Sequence, residues 1–170
     1  GSDRKYRTRQ PAELIDEYLS AARSVGGRLM LDIQPGRSPI LDEIAYLEPW
    51  LAEPDVDLAI DPEWNVGRHG VPGRSVGSVK ASDVNVASRA LQRIVAEEDL
   101  PPKVLVVHQF RKGSVKKRRQ IRQRGDVAAH RVAAPRGAGD RVGERDQHPV
   151  GHLREHAVGQ AGDRVLLVHD

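Results

Sequence analysis

Two carboxylates, Asp61 and Glu63, close the apolar run Val56-Asp57-Leu58-Ala59-Ile60, with Pro62 between them and Trp64 after them. In an extended segment, side chains two residues apart share a side. The pair therefore suits glycoside hydrolysis, in which one carboxyl is the acid and the other the nucleophile or base. Trp64 would supply a stacking wall for a sugar. Asp32 and Gln34 end a second apolar run, Leu29-Met30-Leu31-Asp32-Ile33-Gln34, and His108 and Gln109 end a third, Val104-Leu105-Val106-Val107-His108-Gln109. Asp32 is an equal candidate for the second carboxylate. His108 suits general acid–base work or a metal, and Gln34, His108 and Gln109 suit orientation of a substrate.

Each of these residues also has a purely structural reading. Asp61 can cap the turn that follows it, with Glu63 in solvent. A carboxylate at the end of an apolar strand must be paired or wet, so Asp32 can pair with Arg28 or Arg37. His108 can be a satisfied structural group. No H-x-H or H-E-x-x-H spacing is present, and no metal or cofactor is implied. Arg37, His69 and the stretches Arg68-His69-Gly70 and Gly73-Arg74-Ser75 could bind an anionic part of a substrate, although Gly67 to Gly70 fits neither a P-loop nor a G-x-G-x-x-G template.

The elements that would position these residues alternate. Pro11 opens a helix with Leu14, Ile15, Tyr18, Leu19 and Ala22 on one face, and Gly26-Gly27 stops it. A strand is predicted over about 28–34. Ser38 and Pro39 read as N-cap and first residue of a second helix carrying Ile40, Leu41, Ile44 and Leu47, ended or kinked by Pro49. The central strand, a long loop over about 62–81, a helix capped by Ser82 and a strand over 103–109 follow. The loop is longer than compact domains usually hold. The order α-β-α-β-α-β predicts an α/β fold of parallel βα units, either a partial (β/α)-barrel or a small open sheet. Either one gathers the carboxyl ends of its strands on one rim, where ligands bind.

The 170 residues suit a single core, and with 38% hydrophobic, 4% aromatic and no cysteine they exclude disulfide and thiolate chemistry. The apolar runs are too short to span a bilayer. Gly1-Ser2 reads as a cloning remnant, so a membrane link would come only through a removed N-terminal anchor. The net charge of +3 averages two unlike parts. Residues 1–110 hold 13 Lys and Arg against 17 Asp and Glu, and residues 111–170 hold 14 against 7. The domain reading follows this division: a partial barrel over 1–110, then a basic Arg-, Gly-, Ala- and Val-rich tail. The tail has no Phe, Trp, Tyr, Met, Thr or Asn. A basic helix is expected over 112–124 and a strand over 165–168, and no lasting apolar period is found from Gly125 to Asp163. Three readings of the tail stay open. It is a disordered basic segment, a product of out-of-frame translation of a GC-rich gene, or a nucleic-acid binder. The last is the weakest, because aromatic residues are absent and Asp and Glu dilute the charge.

The segments Leu31-Asp32-Ile33-Gln34-Pro35-Gly36-Arg37-Ser38, Leu58 to Trp64, and Val106-Val107-His108-Gln109-Phe110 together resemble a family of uncharacterised secreted or lipid-anchored actinobacterial proteins with a glycosidase-like barrel domain. The resemblance covers about residues 10–111 and ends after Phe110. It implies a (β/α)-barrel ancestry and a cell-envelope or secreted location, a cytoplasmic one being the alternative; the carboxylates and Trp64 make a glycan or other small molecule the expected ligand. It supplies no substrate and no oligomeric state. The expected function is thus that of a glycosidase-like hydrolase descendant, impaired in this form. A non-catalytic envelope binding protein and a nucleic-acid binder are the alternatives.

Overall fold

The computed structural model describes residues 4–133, 154–157 and 164–169. Its helices are α1 (Ala12–Ser24), α2 (Ile40–Leu51) and α3 (Ala81–Glu97). The strands are β1 (Arg28–Ile33), β2 (Val56–Ile60), β3 (Val79–Lys80), β4 (Lys103–Gln109), β5 (Val115–Lys116), β6 (Val127–Ala133), β7 (Arg154–Ala157) and β8 (Arg164–His169). Six strands form one sheet in the order β6-β4-β2-β1-β8-β7, and β3 pairs with β5 in a two-stranded ladder. Every pair is parallel except β7 with β8. The fold is α/β, built of parallel βα units.

Alternation along the strands divides the sheet into two unlike faces. Leu29, Leu31, Ile33, Val56, Leu58, Ile60, Leu105, Val107 and Val127 join the buried side chains of all three helices in the main core. Met30, Ala59 and Val106 form a second, smaller cluster to which no helix contributes. From β1 the strands β2, β4 and β6 follow one another outward, with their helices on a single face. That is the winding of a barrel wall, not of a sheet sandwiched between helices. Among the described residues the sheet is open, because the edge strands β6 and β7 do not pair with each other.

Several local expectations are corrected. Ser38 does not cap α2: Pro39 holds the N-cap position, and the Ser38 hydroxyl is buried without a hydrogen-bond partner among the described residues. Pro49 does not end α2, which runs on to Leu51. The α3 helix begins one residue before Ser82, and the Lys80 N–H donates to Asp83 Oδ2 at 2.9 Å. The basic helix over 112–124 is absent. Its only apolar anchors, Val115 and Ile121, are six residues apart and fit no helical stripe. Val115 instead pairs with Val79, and Lys117 takes a left-handed conformation (φ 54°) ahead of a one-turn 3-10 helix, Arg118–Gln120.

The strand expected over 165–168 lies within β8, parallel to β1. The strands β6 and β7 arise where no apolar period is visible in the sequence. The readings made for residues 134–153 and 158–163 lie outside the described residues. Among those described, no helix is long and apolar enough to cross a membrane.

The long loop is stitched by polar contacts. Gly77 N–H donates to Glu63 O at 2.7 Å, Asn65 and Ser78 exchange hydrogen bonds, and Arg37 Nε donates to Gly70 O at 2.7 Å. Gly77 is required here, since a Cβ would lie 2.4 Å from Asn65 O.

Candidate functional site

The carboxyl ends of β1, β2 and β4 bring three titratable groups together on the face that carries no helix. Asp32 is the penultimate strand residue of β1 and is 2% exposed. His108 is the penultimate residue of β4, and its Nε2 lies 3.0 Å from Asp32 Oδ2. Asp61 immediately follows β2; its N–H donates to Ile33 O at 3.0 Å, extending the β1–β2 ladder by one step. The register pairs Asp32 with Ala59 and Ala59 with Val106. Period two then sets Asp61 and His108 one step further along the same face.

Electrostatics separate the roles of these groups. Burial is the largest influence on Asp61 and pushes its carboxyl up to about 6. The hydrogen bond from Glu63 N–H and the charge of His108 oppose that rise, and the charge of Asp32 adds to it. For His108, burial disfavours the imidazolium, but the hydrogen bond and charge of Asp32, supported by the charge of Asp61, prevail and raise it above its ordinary value. The contact at 3.0 Å makes Asp32 the main support of a charged His108. Asp61 is left as the carboxyl poised to exchange a proton near neutrality.

Glu63 is not an extended neighbour of Asp61. Pro62–Trp64 is a one-turn 3-10 helix, capped by Asp61, whose Oδ1 accepts from Glu63 N at 2.9 Å. The turn breaks the two-residue alternation, and Glu63 Oε1 faces Arg111 Nε at 4.0 Å. Trp64 is exposed on the same turn. Gln34 is half-buried just beyond β1. Gln109 follows the helix-side alternation, opposite to His108, and its Oε1 is buried without a hydrogen-bond partner among the described residues. Arg37 is tied to Gly70 and lies over the Tyr6 ring at 4.5 Å, where it straps the N-terminal arm. His69 is exposed in the long loop.

Two neighbours escaped the sequence reading. Phe110 stacks on His108, with centroids 5.6 Å apart and planes at 11°. Period-two spacing from His108 is the signal that would have found it. Arg111 reaches both Glu63 and Gly77 O, and no local pattern marks it.

Among the described residues, no group of three or more His, Cys, Asp and Glu is placed to hold a metal ion. What the arrangement can do is proton transfer, with Asp61 as donor or acceptor and the Asp32–His108 pair fixing the charge beside it. Set against protein-family models, curated proteins and solved structures, the chain finds no match in any of the three.

Proposed function

We propose that Asp61, Asp32 and His108 form an acid–base centre of the glycoside-hydrolase type acting on a cell-envelope glycan. Asp61 is the proton donor, and Asp32, 3.0 Å from His108, is the second carboxyl. The observation that carries the reading is a carboxyl raised to about 6 at the carboxyl end of a parallel strand, on one face with a second carboxyl that meets an imidazole at 3.0 Å. A carboxyl raised by burial is what the general acid of a glycosidase requires. The exposed indole of Trp64, three residues from Asp61, supplies a sugar-stacking surface. The glycan as substrate class rests on the carboxyls and Trp64, and only the envelope location rests on the resemblance over residues 10–111.

The test is turnover of 4-nitrophenyl glycosides and soluble peptidoglycan fragments by the unchanged chain and by Asp61→Asn and Asp32→Asn. Loss of turnover in both variants, with a pH limb near 6 in the unchanged chain, supports the reading. Turnover that is indifferent to Asp61→Asn refutes it. A second reading, glycan binding without cleavage, is favoured by one observation: Glu63 faces Arg111, and the Asp61 carboxyl already caps its own turn. Glycan affinity without turnover, weakened by Trp64→Ala, would select it.

A further inference from the structure

Residues 111–125 carry eight Lys and Arg and no Asp or Glu. The acidic dilution that weakens a nucleic-acid reading of the whole tail begins only at Asp126. This stretch is also built onto the fold. The Asn85 side chain on α3 holds both sides of Ile121: its Nδ2 donates to Gln120 O at 2.9 Å, and its Oδ1 accepts from Arg122 N–H at 2.8 Å. Ile121 packs against the main core. Arg124 Nε donates to Ser88 Oγ at 3.0 Å, and its Nη1 donates to Gln92 Oε1 at 3.0 Å.

Between α3 and the Arg118–Gln120 turn lies a groove of about 590 Å³. Arg89, Arg119 and Arg122 line it with Ser82 and Asn85, and no carboxylate does. These three arginines are exposed, and they make no side-chain hydrogen bond or ion pair among the described residues. Several arginines elsewhere are occupied by carboxylates: Arg9 by Glu43, Arg23 by Glu53 and Asp55, Arg28 by Asp57, and Arg93 by Glu48 and Glu97.

We propose that this groove is a seat for the phosphodiester backbone of a nucleic acid. Three guanidiniums, Arg89 on α3 and Arg119 and Arg122 on the segment anchored to it, offer forked donors that match phosphate oxygens. Lys112, Lys116, Lys117 and Arg118 extend the positive field along the same segment, which fits a polymer with many phosphates better than a single anion. The stretch contains no aromatic residue to stack on a base, so binding reads the backbone and is indifferent to sequence.

The test is fluorescence anisotropy of a labelled oligothymidylate titrated with the full chain over a range of salt concentrations. The comparison is between Arg119→Ala/Arg122→Ala and Lys5→Ala/Arg23→Ala, which removes equal charge from exposed residues that do not line the groove. On single strands each phosphate contact adds about 0.7 to the slope of log affinity against log salt. The groove variant is expected to flatten the slope by about 1.4 and to weaken binding about 25-fold at 0.1 M salt. The control variant should bind like the unchanged chain. Asn85→Ala, which frees the turn and leaves every charge in place, should weaken binding with little change of slope.

Equal losses in the two double variants would reduce the effect to net charge and overturn the proposal. So would failure of the unchanged chain to bind at low salt, or competition by inorganic phosphate at the same phosphate concentration as the polymer. Circular dichroism identifies any variant that fails to fold; Arg119→Gln/Arg122→Gln then takes its place, with the same flattening of slope expected.

Discussion

Replacing Asp61 by Asn removes a buried charge and keeps the side-chain oxygen that caps the Pro62–Trp64 turn. The native carboxyl moves from 3.8 to about 6 on folding, chiefly through burial. Because the folded pKa is the higher one, this group's stabilising contribution is fully present below 3.8 and is lost as pH rises through 6. At 1.36 kcal/mol per pKa unit, the unscreened loss is about 3 kcal/mol. Water and salt reaching a site 7% exposed reduce it to about 1–2 kcal/mol.

Asn is neutral at every pH and caps as well as Asp. The variant should therefore match the unchanged chain near pH 4 and exceed it by about 1–2 kcal/mol at pH 8. In urea denaturation that is a midpoint higher by about 0.5–1 M at pH 8 and unchanged at pH 4. The charge of Asp61 also helps to raise His108, so the imidazole midpoint followed by NMR should fall in the variant. A stability difference that stays flat from pH 4 to pH 8 would refute the burial of Asp61. An unmoved imidazole midpoint would refute its contact with His108.

Three further outcomes follow from the same contacts. In Asp32→Asn, burial acts on His108 without its principal counter-charge; its NMR midpoint should drop below 6.5, and the stability it contributes at low pH should disappear. Arg28→Ala leaves the Asp57 carboxylate, 1% exposed, without its two guanidinium bonds of 2.7 and 3.0 Å. Urea denaturation should show a loss of about 2–3 kcal/mol, below that of a fully enclosed pair because Arg28 keeps some solvent contact. Gly36 and Gly26 both have positive φ, but a Cβ at Gly36 would lie 2.4 Å from Lys5 O and Tyr6 O, whereas one at Gly26 meets nothing within 4 Å. Gly36→Ala should cost at least about 1 kcal/mol more than Gly26→Ala and expose the Arg4–Arg9 arm to trypsin.

The elements that were legible from sequence have local causes. Apolar runs of strand length mark β1, β2 and β4, and Gly26-Gly27 and Pro101-Pro102 close the helices before β1 and β4. The β6 strand has no such signature. Its sequence, Val-Ala-Ala-His-Arg-Val-Ala, offers little apolar surface, and its place comes from a parallel ladder to β4 running from Lys103–Val127 to Gln109–Ala133. A ladder of backbone hydrogen bonds does not depend on which side chains it carries. The site was legible in part for the same reason. That Asp32, Asp61 and His108 share a rim follows from their positions at strand ends, but the contact between Asp32 and His108 spans 76 residues and no spacing announces it. The extended path expected to set Asp61 and Glu63 on one side is not taken, because Asp61 accepts the Glu63 N–H and the backbone turns into a one-turn 3-10 helix.

The face without helices carries ionisable groups at both ends of a short apolar row, and the two ends are built differently. At the amino end, Asp57 takes two bonds from Arg28 and a third from Val104 N–H at 2.8 Å, which fix its geometry. Met30, Ala59 and Val106 then fill the middle. At the carboxyl end, Asp61 keeps a single backbone hydrogen bond and a pKa near 6, beside an imidazole raised by Asp32. Buried ion pairs do little for net stability, so neither end is explained by stability alone. A carboxylate saturated with donors, as at the amino end, holds strands in register. A carboxyl left able to change its protonation near neutral pH destabilises the fold above that pH, a cost that accords with the proton-donor role proposed for Asp61.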